Sequence, residues 1–166
     1  MQNPKQIIKQ GQIIDNSWVI LGNEQSISDL GEGQNPIVSS DQWLEQISQL
    51  ANIRPLGILL KPDEDLTALS EHLAQFDVIA VDFPKFADGR GYSIARELRE
   101  TYRYQGEIRA VGDVLLDQLY YMQQVGFDAF ALREDLSLER GLASFNDYKE
   151  NYLGPTYQHN PWFKRA

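Results

Sequence analysis

Val78-Ile79-Ala80-Val81-Asp82-Phe83-Pro84-Lys85-Phe86-Ala87-Asp88-Gly89-Arg90-Gly91-Tyr92-Ser93, followed after a helical stretch by Glu107-Ile108-Arg109-Ala110-Val111-Gly112-Asp113, reads as strand, polar loop, helix, strand. The apolar run ends in Asp82, and the loop behind it carries Lys85, Asp88 and Arg90 around Gly89 and Gly91, more ionisable chemistry than a connector requires. A strand feeding a helix and then a second apolar strand is the unit of a parallel sheet. In such sheets ligands bind at the carboxyl ends of the strands, where loops and helix N-termini converge. One stretch therefore sets both the expected fold and the expected site.

The same pattern continues on both sides. Upstream, Pro36-Ile37-Val38 is a short strand, Ser39 with Gln42 three residues on has the form of a capping box, and Trp43, Leu44, Ile47 and Leu50 keep helical spacing. Gly57-Ile58-Leu59-Leu60-Lys61 is a buried-type strand, followed by the helix-start carboxylates of Asp63, Glu64 and Asp65 and by Leu66, Leu69, Leu73 and Phe76 on one predicted helical face. Ile94, Ala95, Leu98 and Tyr102 stripe the helix after Asp82. Downstream, Asp113 is the expected N-cap of a helix through Leu115, Leu116, Leu119, Met122 and Val125, which Gly126 stops. Asp128 to Leu132 is a fifth strand, and Ser137 caps a last helix with Leu138, Leu142, Phe145 and Tyr148 inward. Before these units, residues 6–21 alternate short apolar clusters with turn signals and predict two or three antiparallel strands; 22–35 reads as a loop.

The expected fold is α/β: one domain over 1–166 holding an open parallel sheet of about five βα units, with a small antiparallel strand addition in 1–35. The alternative is an incomplete TIM-like barrel, since five strands are too few to close one of eight. The tail, 154–166, holds two prolines with Trp162 and Phe163, and reads either as a docking arm or as a loosely held terminus.

Composition limits the chemistry. With 166 residues and 42% hydrophobic content the chain can bury a core unaided. The absence of Cys excludes disulfides, thiol chemistry and cysteine-held clusters, and His72 and His159 leave little for a metal, so no cofactor or metal is expected. A net charge of −9 argues against nucleic acid and anionic membrane as partners. With no transmembrane run and no signal-peptide core, the expectation is a soluble, cytoplasmic protein.

If the fold is as expected, Ser39, Ser40, Lys61, Asp82, Lys85, Asp88, Arg90, Asp113, Arg133 and Glu134 project to one rim. Asp82 stands out because every other residue of its strand is apolar; it and Asp113 are the candidate general acid/base residues. Lys61, Lys85 and the Asp88-Gly89-Arg90-Gly91-Tyr92-Ser93 junction are the candidate ligand contacts. There, glycine backbone, a helix N-terminus and Arg90 suit a small anion. As a phosphate motif the junction is incomplete, with Ile94 where a third glycine would fall, and the competing reading pairs Arg90 with Asp88 or Asp113. Arg109, inside an apolar strand, either contacts ligand or forms a structural ion pair with Asp82 or Asp113. Tyr120 and Tyr121 cannot share a helix face, so at least one is exposed or at an interface. A two-component receiver domain also ends its third strand in Asp, but it needs an acidic pair after strand one and a Lys after strand five; Ser39-Ser40 and Arg133 stand there.

The runs Asp82 to Ser93, Leu98-Arg99, Arg109-Ala110-Val111-Gly112-Asp113-Val114-Leu115-Leu116-Asp117-Gln118-Leu119 and Gly126-Phe127-Asp128-Ala129-Phe130 resemble the bacterial domain-of-unknown-function 934 family, over about Gly11 to Tyr157. That resemblance implies, by gene neighbourhood alone, a part in assimilatory sulfate and sulfite reduction, with sulfite reductase or a related redox protein as partner. The oxidoreductase label its members often carry finds no support in these residues. Three functions follow as expectations: an accessory protein binding a small anion or a reductase, an enzyme acting on a small anion through an Asp acid/base, or a structural assembly subunit with an apolar surface around Trp162, Phe163 and Tyr120 and no ligand in the cleft; a homo-oligomer is a further expected partner state.

Overall fold

The computed structural model describes residues 3–152, with side-chain placement to residue 146, and the expected tail 154–166 lies outside them. Its elements in chain order are β1 (Gln6–Lys9), β2 (Gln12–Asp15), β3 (Trp18–Ile20), β4 (Asn35–Ser39), α1 (Ser40–Glu45), α2 (Ile47–Leu50), β5 (Gly57–Leu60), β6 (Val78–Phe83), α3 (Arg90–Glu100), β7 (Glu107–Gly112), α4 (Leu119–Val125), β8 (Ala129–Phe130) and α5 (Leu138–Tyr152). The strands form one mixed, mostly parallel sheet in the order β2-β1-β8-β7-β6-β5-β4-β3. From β3 to β8 each strand lies parallel to its sequence neighbour, and β1 joins antiparallel to both β8 and β2.

A strand order that never reverses sends every right-handed crossover to the same side of the sheet. The side chains confirm it. Ile58, Leu60, Ile79, Val81, Phe83, Ile108, Ala110 and Phe130 pack with residues of the helices, including Trp43, Ile94, Leu98, Met122 and Phe145. The alternate positions, Ile37, Val78, Ala80, Val111 and Ala129, meet only strand residues such as Ile7 and Ile20 and their flanks. The second face is therefore the inside of a curled sheet, an incomplete barrel, and not a face awaiting a second helical layer as in a flat open sheet. That inside is filled by isoleucines and valines together with Ala80, Ala129 and Ala131.

How far the curl goes is set by two residues. β2 and β3 stand at opposite ends of the strand order, yet only Asn16 and Ser17 separate them, a reach of no more than about 11 Å. Asn16 N–H donates to the Lys5 carbonyl on the β1 side, and the Ser17 carbonyl accepts from Asn35 N–H on the β4 side. No ladder joins β2 to β3, so the sheet is open there, but the chain itself bridges the seam. Asn3 covers what remains: its side chain accepts from Ile20 N–H at 2.8 Å and donates to Ile20 O at 3.3 Å, standing in for a neighbouring strand.

Several expectations need correction. Trp18 to Ile20 pairs in parallel with β4 and is not part of the antiparallel addition, which is the β1–β2 hairpin alone. The crossover after β5 holds two short 3-10 turns, Leu66–Leu69 and Leu73–Gln75, where a helix was expected, so five complete βα units are not present. Leu66, Leu69, Leu73 and Phe76 are buried as predicted; the apolar spacing was right and the helix was not, because Asp65 caps a tight turn through Thr67 N–H instead of a longer helix. Asp113 does not cap α4, since a 3-10 turn intervenes and its carboxylate is used elsewhere. The Ser39–Gln42 capping box is present in both directions.

Candidate functional site

The strand ends gather the predicted residues on one rim, where Asp88 pairs with Arg90 and Asp113 with Arg133, while Ser39, Ser40 and Lys61 bond to Gln42, Glu64 and Asp41. Lys61 Nζ lies 2.7 Å from Asp41 Oδ2, both side chains exposed, and the partnership raises the lysine above its ordinary pKa. Beneath it, buried Ser40 donates to Glu64 Oε2 at 2.8 Å. Arg90 grips Asp88 with two bonds, Nε to Oδ1 at 2.9 Å and Nη2 to Oδ2 at 2.6 Å, which holds the Asp88 carboxyl below the usual range. Asp113 accepts from Arg133 Nη1 at 2.7 Å and from Phe86 N–H at 3.1 Å. Arg133 in turn clasps Asp135 at 2.9 and 2.7 Å, and these two carboxylates hold its guanidinium above its ordinary pKa. Lys85 is exposed and, among the described residues, has no carboxylate partner.

The Asp-Gly-Arg-Gly junction owes its second glycine to packing. A Cβ on Gly91 would come within 2.6 Å of the Phe83 ring, so α3 can lie against β6 only if that position is bare. Gly89 has φ −76 and meets nothing closer than 4.0 Å. Tyr92 rests edge-on against Phe83 and beside Tyr121, its hydroxyl pKa pushed up by burial, while Ser93 is exposed on the first turn of α3.

Arg109 is not at the rim. It points into the curled sheet, 3% exposed, with Nε 2.6 Å from Glu107 Oε1 and Nη1 2.8 Å from Asn16 Oδ1. Glu107 also takes Lys9 Nζ at 2.7 Å. The expected ion pair exists, but its carboxylate is Glu107, not Asp82 or Asp113. Residues two apart on a strand share a face, and that spacing was the available signal.

Asp82 remains. It sits on the inner face at the end of β6, half-buried, with Oδ1 fully buried and without a hydrogen-bond partner among the described residues. Its backbone neighbour across the ladder is Val111, and Gly112 at φ +91 leaves the room its carboxylate fills: a Cβ there would meet Asp82 Oδ1 at 2.7 Å and Phe83 O at 2.6 Å. Burial, reinforced by Asp88, raises the Asp82 carboxyl above its ordinary pKa. Next to it a cavity of about 320 Å³ opens between Pro4, Pro84, Val111, Gly112, Ala131 and the Asp113–Arg133 pair.

Taken together, the rim is strongly acidic. Close behind the strand ends stand Asp15, Glu24, Asp41, Asp63, Glu64, Asp65, Asp82, Asp88, Asp113, Asp117, Glu134 and Asp135, against Lys5, Lys61, Lys85, Arg90 and Arg133. Twelve carboxylates against five cations leave a formal −7, most of the chain's −9. Among the described residues no group of three or more His, Asp or Glu is placed to hold a metal ion, and no helix is long and apolar enough to cross a membrane.

No curated protein and no solved structure matches this chain. The family model described as "Bacterial protein of unknown function (DUF934)" matches residues 57–163, from β5 through α5 and beyond, which includes every rim residue from Lys61 onward. The chain belongs to that family.

Proposed function

We propose that this protein is an accessory protein of assimilatory sulfite reduction, and that it works by docking the strand-end face of its curled sheet onto a redox partner with a basic surface. The observation that carries the docking is the charge of the rim, −7 within one face. A free small anion is repelled by that field, and three of the five cations available to hold one already pair with carboxylates of the same chain. The same field attracts a partner bearing Lys and Arg and orients it on approach. The sulfur pathway rests on the family resemblance. Co-purification with sulfite reductase at low salt, together with poor growth of a deletion strain on sulfate as sole sulfur source, tests the reading; normal growth with no reductase recovered sinks it.

One observation favours a second reading. Asp82, with a buried unpartnered oxygen and a raised pKa beside a cavity, has the properties of a general acid/base. Asp113 is the weaker candidate, because Arg133 and Phe86 N–H already occupy it. In this reading Asp82→Asn abolishes complementation of the deletion strain while leaving the fold intact, and full complementation rejects it.

A further inference from the structure

We infer that docking is anchored by an aromatic patch on the acidic face, formed by Phe86 and Tyr121 around Tyr92, and that its occupant is a partner segment in which Lys or Arg flank apolar side chains. Phe86 and Tyr121 are 54% and 52% exposed, two of the three large hydrophobic residues so exposed among those described. They are linked through their surroundings: Gln118, three residues before Tyr121, donates to Phe86 O at 2.7 Å, and the Tyr121 ring packs tilted against Tyr92 with ring centroids 5.2 Å apart. Tyr92 packs edge-on against Phe83 beneath it at 5.4 Å, which holds the base of the patch in place. Neither exposed ring serves the core, and the Phe86 backbone is held at both ends, its N–H by Asp113 and its carbonyl by Gln118, which presents the ring outward.

Charge selects the occupant. The patch lies within a face of formal charge −7, which complements a basic segment and opposes a second copy of this chain at −9. Exposed aromatic rings also attract Lys and Arg by their faces while covering apolar surface, the behaviour of binding hot spots. The inference rests on the docking reading and names its anchor.

The test uses the full chain and a lysine- and leucine-rich amphipathic peptide, with a control peptide carrying glutamate in place of every lysine. The expected result is amide shifts clustered around Phe86, Tyr92 and Tyr121 with the basic peptide alone, and about tenfold weaker binding by F86A/Y121A with its circular dichroism unchanged. Shifts centred elsewhere, equal binding by the double variant, or a homodimer of the wild-type chain that F86A/Y121A dissolves would each overturn it. Undiminished capture of sulfite reductase by F86A/Y121A removes the anchor and keeps the docking reading. Failure of the wild-type chain to capture the reductase removes that reading, while the peptide result still judges the patch.

Discussion

Arg109, on strand β7, crosses the inside of the curled sheet to reach Asn16 at the seam between β2 and β3, Nη1 to Oδ1 at 2.8 Å. Asn16 also binds Pro4 O and both the N–H and C=O of Trp18, so one side chain ties the N-terminal segment, the seam and the central strand together. Removing the arginine strands Glu107, 7% exposed, with Lys9 alone. Arg109→Met is expected to cost about 3–5 kcal/mol in chemical denaturation, the range for breaking a buried pair. A loss below about 1 kcal/mol would mean the network does not hold the seam.

Asp82 makes a prediction about pH. Its folded pKa lies above the unfolded value because burial disfavours the charged form. The stability linked to its protonation is therefore fully present below the ordinary carboxylate range and is lost as pH rises through the raised folded value. Asp82→Asn cannot ionise and escapes that loss. The variant should be more stable than the parent at neutral pH, with the difference shrinking toward acid; equal stability at every pH contradicts the assignment.

The two glycines of the Asp-Gly-Arg-Gly junction should behave differently. Gly91→Ala pushes a methyl into the Phe83 ring and is expected to destabilise by about 1–3 kcal/mol. Gly89→Ala meets open space at an ordinary φ and should fall within about 0.5 kcal/mol of the parent. Thermal or denaturant unfolding of the two variants side by side decides it, and the reverse order would show that the junction is shaped by something other than helix packing.

Much of this arrangement was legible in the chain. The apolar runs at Gly57 to Leu60, Val78 to Phe83 and Glu107 to Gly112 became strands because their flanks are polar and their helices striped. Asp82 stood out by being polar where the strand gave it no alternation, and its buried Oδ1 has no hydrogen-bond partner among the described residues. Tyr121 is exposed beside a partly buried Tyr120, as two adjacent helical tyrosines must divide. What was not legible depends on contacts between distant residues. That Trp18 joins β4 and not the hairpin is decided by the curl, whose inside is packed by alternate positions of separate strands, such as Ile7, Ile37, Ala80 and Ala129. The pairing of Arg90 with Asp88 was one of the readings the sequence offered, whereas the partners of Lys61 and Arg133, Asp41 and Asp135, are carboxylates whose role no single position announces. The acidity of the rim was hidden within a total charge that says nothing of its distribution until the strand ends are placed together.

The docking claim is tested most directly by the affinity between this protein and sulfite reductase measured against salt, for the parent and for Asp63→Asn/Glu134→Gln. Both residues are exposed on the rim and make no hydrogen bond or ion pair among the described residues, so the double variant lowers the charge of the face without disturbing its internal pairs. Affinity is expected to fall steadily as salt rises, and the double variant to bind more weakly with a shallower salt dependence. Binding that ignores salt, or that the double variant leaves unchanged, would contradict it.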